Sequence, residues 1–219
     1  MLYIIGTLLL SIFFFVSMLF ISSLLYKRRM NVRYSIRNMF PFEIVYKTTL
    51  ATNFYTFLFV ALFVMSSIGF FATFDISFTN GFNIFAMIAG ILSSILIFAI
   101  ILTPLTNLRL HLIFAVSFFT LNFACSGSIL ISAWKHNQEV STPLSIISIG
   151  IGIAIVLCQF ATMFNPRLSL KFKAEQKIDE KGEVVMVRPK WVVFAFTEWL
   201  NIFLMLLNMI SITILMFAK

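Results

Sequence analysis

One carboxylate stands in a stretch that otherwise belongs in hydrocarbon. Glu198 lies in Phe194-Ala195-Phe196-Thr197-Glu198-Trp199, within the last apolar run of the chain, 191–217. It is the only acidic residue that falls inside any long hydrophobic segment. Hydrocarbon offers a carboxylate no solvation, so the group must be neutralised, paired or hydrated. Three chemistries suit such a residue: relay of a proton or ion, recognition of a polar headgroup, and a structural carboxyl that locks helix packing. It sits about 12 Å inside the helix end marked by Lys190 and Trp191. At 100° per residue, Glu198, Asn201, Met205 and Asn208 share one face, which should look into a bundle. Arg109 and His111, which open the fourth apolar run, are candidate partners at the same depth. So is Gln159, near the matching end of the fifth run. Glu198, His111, Arg109, Gln159 and Asn201 are therefore expected to form an intramembrane polar centre.

Other chemistry is thinly represented. The chain has 2 histidines, and His136 falls on the opposite side from His111, so no pair has metal-ligand spacing. Asn53, Asn122, Asn201 and Asn208 suit either a polar path or interhelical hydrogen bonds, each worth about 0.6–2 kcal/mol. There is no nucleophile elbow, HExxH motif, glycine-rich phosphate loop or pair of intramembrane acids. The expectation is a protein that is not an enzyme, with no catalytic residues, no metal and no cofactor. Cys125 and Cys158 both lie in apolar runs and read as small buried hydrophobes.

The helices that carry these residues are implied by composition. Of 219 residues, 61% are hydrophobic and 11% charged, where a soluble domain is about half apolar and a quarter charged. Mean hydropathy is +1.03. A globule this small cannot fold so much apolar surface inward, so lipid is the solvent for much of it. Six runs, about 2–26, 50–73, 82–103, 110–133, 143–164 and 191–217, are each long enough to cross a core of about 30 Å. The fold expected is all-α, a single domain over 1–219 built as a bundle of six transmembrane helices. The first run has no basic n-region and reads as an uncleaved anchor. Pro41-Phe42-Glu43 breaks the connector after it, and Glu43 is placed to cap the next helix. Small residues at Ala86, Ala89, Gly90, Ser93 and Ser94, and the pairs Ser148/Gly152 and Gly150/Ala154, permit close helix packing. The hydrophilic loop 165–190 contains a turn, Asp179-Glu180-Lys181-Gly182, before Val184-Val185-Met186-Val187, which suits a small hairpin.

Net charge is +8, and its distribution sets topology. Loops one, three and five hold six, one and seven Lys plus Arg, against two on the other side including Lys219. The positive-inside rule then turns both termini away from the cytoplasm. The same charges attract anionic headgroups, so the expected partners are membrane lipids and other membrane proteins, with no nucleic acid. Endomembrane and plasma membrane are not distinguished by these features.

Several patterns carry a resemblance. Asn83 followed by Gly90-Ile91-Leu92-Ser93, His111 followed by Ala115 and Phe118-Phe119, and the acid-plus-aromatic pair Glu198-Trp199 lie in the third, fourth and sixth runs. Tyr34-Ser35-Ile36 and Pro41-Phe42-Glu43 lie in the first loop. Together they resemble the six-span family of the damage-regulated autophagy modulators and Sfk (DRAM/Sfk), which includes a lipid-anchor remodelling factor. The resemblance implies a non-enzymatic membrane protein acting in autophagy, trafficking or lipid handling. It also implies a first loop on the non-cytoplasmic side, opposite to the charge count, and an Asp and a Gly in that loop which this chain lacks. The alternative function is a small secondary transporter, or a membrane subunit of a transport complex, with Glu198 as its coupling carboxyl.

Overall fold

Six helices long and apolar enough to cross a bilayer make up most of the chain in a computed structural model. It describes residues 2–31, 33–46, 50–73, 81–103, 105–166, 168, 175–178, 184–187 and 189–218. The loop around Asp75 and Asn80, Pro104, the turn at 179–182 and the side chain of Asn53 lie outside the described residues.

The elements in order are α1 (Leu2–Met30), a one-turn α2 (Glu43–Tyr46), α3 (Leu50–Thr73), α4 (Gly81–Leu102), a 3-10 turn (Leu105–Asn107), α5 (Leu108–Glu139), α6 (Pro143–Met163), β1 (Glu175–Ile178), β2 (Val184–Val187) and α7 (Val193–Met216). Local chemistry marks several ends. α1 stops at Asn31, whose φ of 53° is left-handed and whose N–H donates to the Lys27 carbonyl at 3.0 Å. Asparagine tolerates that conformation better than most residues, which suits it to end a helix. α6 starts with Thr142 in a capping box with Ser145 and with Pro143 in its first turn, where a missing N–H costs nothing. β1 and β2 pair antiparallel, Glu175 opposite Val187 and Ile178 opposite Val184.

α5 runs to Glu139, about two turns past the boundary expected at 133. Residues 134–139 contain no Gly or Pro to stop it, and the first strong breaker is Pro143. His136, expected in a loop, is therefore helical and buried. Its Nε2 lies 3.0 Å from the carbonyl oxygen of Ala218 just past the end of α7.

α1 lies against α3, α3 against α4, α4 against α5, α5 against α6 and α6 against α7, and α7 also touches α1 and α5. α7 is the centre of this arrangement. In its most apolar window 67% of residues are buried, against 33–44% in the other five helices. On α4, Ala86, Ala89, Gly90, Ser93 and Ser94 all face inward. Gly90 lies so close to the Phe71 ring that a side chain there would run into it. On α6, Ser148 and Gly152 are buried, while Gly150 and Ala154 are exposed, so the first small pair packs helices and the second faces lipid.

Candidate functional site

His111 and Glu198 meet at the end of the bundle that carries loops one, three and five. Both are fully buried, and His111 Nε2 lies 2.8 Å from Glu198 Oε1. The other ring nitrogen, Nδ1, lies 2.7 Å from the Thr103 carbonyl oxygen. A carbonyl only accepts, so Nδ1 carries a proton and donates it. That fixes the tautomer. Between Nε2 and Oε1 there is then a single proton, held either as imidazolium–carboxylate or as imidazole–carboxylic acid. Both forms have the same net charge of zero, which is how a carboxyl is kept at this depth without solvent.

The Thr103 carbonyl is available because α4 ends at Leu102. The residue after Thr103 is Pro104, which has no N–H to continue the helix. A helix C-terminus leaves carbonyls without intrahelical donors, and His111, one turn into α5, supplies one.

The connector after α1 closes over this pair. Phe40 and Phe42 set their rings edge-on to the His111 imidazole, with centroids 6.1 and 5.6 Å away. Tyr34 donates its hydroxyl to the Phe40 carbonyl at 2.8 Å and stands edge-on to Trp199. The Trp199 indole N–H donates to the Met39 carbonyl at 3.0 Å. The Val192 N–H donates to the Arg37 carbonyl at 2.9 Å, and the Arg37 guanidinium lies over the Trp191 ring. The connector is thus fastened to the entrance of α7. Glu43 is buried, accepts the Phe40 N–H at 3.3 Å and lies within electrostatic reach of Glu198. Burial pushes the Tyr34 phenol well above its ordinary value of 10.0.

The remaining expected residues fall differently. Arg109 is exposed and takes no place in the centre: it is two residues before His111, so about 200° around the helix and on the opposite face. Gln159 is fully buried, but neither amide atom has a hydrogen-bond partner among the described residues. Asn201 is buried beside the pair on α7, yet its amide donates to the Thr197 carbonyl of its own helix. Its main-chain carbonyl oxygen accepts from the Asn122 side-chain amide at 2.9 Å. Below it, Asn208 donates to Ser126 Oγ at 2.7 Å, Ser126 donates to the Asn122 carbonyl, and Ser148 and Ser211 pair at 2.9 Å. The face of Glu198, Asn201, Met205 and Asn208 therefore looks inward along its length, tying α7 to α5 and α6.

Sequence reasoning missed Thr103, because a backbone carbonyl has no residue signature. It left Tyr34 and Trp199 as pattern residues without a role, and gave Glu43 only that of capping the helix it opens. The available signal was the burial-prone Phe40-Pro41-Phe42 beside an acid in an otherwise basic connector. No family model, curated protein or solved structure matches the chain.

Proposed function

We propose that this chain is a non-catalytic, multi-span membrane protein acting in membrane trafficking, autophagy or lipid handling. In this reading the Glu198–His111 pair is a buried pin, not a reaction centre. One observation carries it: both ring nitrogens of His111 are already engaged, one by Glu198 and the other by a main-chain carbonyl. A general base needs a ring nitrogen facing the group it deprotonates. In a Glu–His dyad that works on a nucleophile, the nucleophile occupies the place that the Thr103 carbonyl takes here.

The alternative, a secondary transporter coupled through Glu198, draws support from the polar row that continues from Asn201 to Ser211. That row is a poor proton relay. The amides of Asn122 and Asn201 end on main-chain carbonyls, which accept and do not pass a proton on. The pin reading uses the same bonds to hold helices.

The test is the purified chain reconstituted into liposomes, beside cells from which it has been deleted. The expected result is no turnover of phospholipid and no proton-driven flux in liposomes, with altered lipid distribution or autophagic flux in the deleted cells. Phospholipid turnover, or proton-driven flux abolished by Glu198→Gln in a normally folded chain, overturns the proposal. Unchanged lipid distribution and autophagic flux in the deleted cells overturn it as well.

A further inference from the structure

Away from the buried pair, an apolar groove of about 660 Å³ lies between α1 and α7. Ligand sites commonly have volumes of about 300–1,000 Å³. On α1 it runs along Ile12, Phe15, Leu19 and Ser23, and on α7 from Phe203 to Ile210. Phe15 forms its floor, edge-on to Phe203 at 5.0 Å. From Ile12 to Ser23 is about 16 Å along the helix axis, half of a hydrocarbon core of about 30 Å. A transmembrane helix of a partner would need the full thickness, whereas one acyl chain of one leaflet needs about half.

The shallow end of the groove is chemically distinct. Ser23 is the polar residue in the α1 wall. Lys27 follows one turn later on the same face, and it is exposed. Arg28 points elsewhere, about 100° further around the helix. Phosphate, glycerol ester and acyl chain of a phospholipid occur in the order in which this face presents an ammonium, a hydroxyl and an apolar channel. Loop one, which Lys27 opens, carries six basic residues.

We propose that the α1–α7 groove holds one acyl chain of an anionic phospholipid, with its phosphate at Lys27 and an ester carbonyl at Ser23. Lipid tails are as apolar as the groove, so burying a chain there gains little over leaving it in the bilayer. Selectivity therefore rests on the headgroup, and Lys27 sets it. The groove supplies position. The proposal rests on the lipid-handling reading above, and the two fail separately. A chain without headgroup selectivity still leaves the cellular lipid and flux measurements to decide that reading.

Native mass spectrometry of the full chain in mild detergent tests the site, using phosphatidylserine and phosphatidylcholine with identical acyl chains. The expected result is one retained phosphatidylserine per chain. Lys27→Gln should lower its preference over phosphatidylcholine about fivefold, the effect of one basic residue at the surface of an anionic membrane. Val16→Trp places bulk in the groove from an exposed position and should abolish retention at an unchanged unfolding temperature. Equal retention of the two lipids, or a preference untouched by Lys27→Gln, overturns the proposal. A dimer that dissociates on Val16→Trp overturns it too, since the face would then be a subunit interface.

Discussion

At the scale of single residues, the shared proton makes Glu198 and His111 unequal to their isosteres in a measurable way. Glu198→Ala leaves a buried imidazole without its partner and should cost about 3–5 kcal/mol. Glu198→Gln keeps a donor for the imidazole and should cost about 1–2 kcal/mol. Thermal unfolding of the detergent-solubilised protein separates the two, and equal effects of both substitutions would contradict the one-proton description. Tyr34 gives a pH signature. Its folded value lies above its ordinary 10.0, so folding favours the neutral phenol. That stability is fully present below about pH 10 and is lost as pH rises through the higher folded value. Tyr34→Phe should lower the unfolding temperature at pH 8 through the lost bond to Phe40, worth about 0.5–1.5 kcal/mol. It should also flatten the further fall between pH 8 and 11. The pair itself was legible in the sequence, because a lone acid in an apolar run demands a partner and few residues at its depth qualify. Sequence depth says nothing of azimuth, which is why Arg109 qualified on paper and faces outward in the fold.

At the scale of elements, close helix packing at Gly90 and Gly152 has different tolerances. A side chain at Gly90 meets the rigid Phe71 ring, whereas at Gly152 it meets the Leu130 Cδ1 at 3.2 Å. Gly90→Ala should destabilise by about 1–3 kcal/mol, the usual cost of overpacking. Gly152→Ala should stay close to neutral, because the end of a leucine side chain can yield. Pairing Gly90→Ala with Phe71→Leu should recover part of the loss in the same unfolding assay. Both glycines were visible as small residues in apolar runs, yet only three-dimensional contact tells the rigid neighbour from the flexible one. The six spans were legible because lipid imposes length and hydropathy. The fold-back of the first connector was not, because its burial depends on Trp199 and Val192, some 150 positions away in sequence.

At the scale of the whole molecule, sidedness is testable without knowing the function. Bonds from Arg37, Asn38 and Met39 to Val192, Pro189 and Trp199 place loops one and five at one end of the bundle. Single cysteines at Arg33 and Gln176, in a chain lacking Cys125 and Cys158, should label from the same side. A cysteine at Gln138 should label from the other. By the charge rule the first two face the cytoplasm, and labelling of intact cells with an impermeant reagent decides between that rule and the family resemblance. The central position of α7 has a consequence in time. His111 and Glu198 are 87 residues apart, so at about 5–20 residues per second the ribosome delivers the acid about 4–17 s after the histidine. By the end of that wait five spanning helices have been made while their hub is still missing, and the inward faces of Asn122, Ser126 and Ser148 lack their α7 partners. Nascent chains arrested before residue 191 should therefore be held by membrane chaperones or degraded, while full-length chains escape. The helix made last of the six is the one that licenses release of all the others.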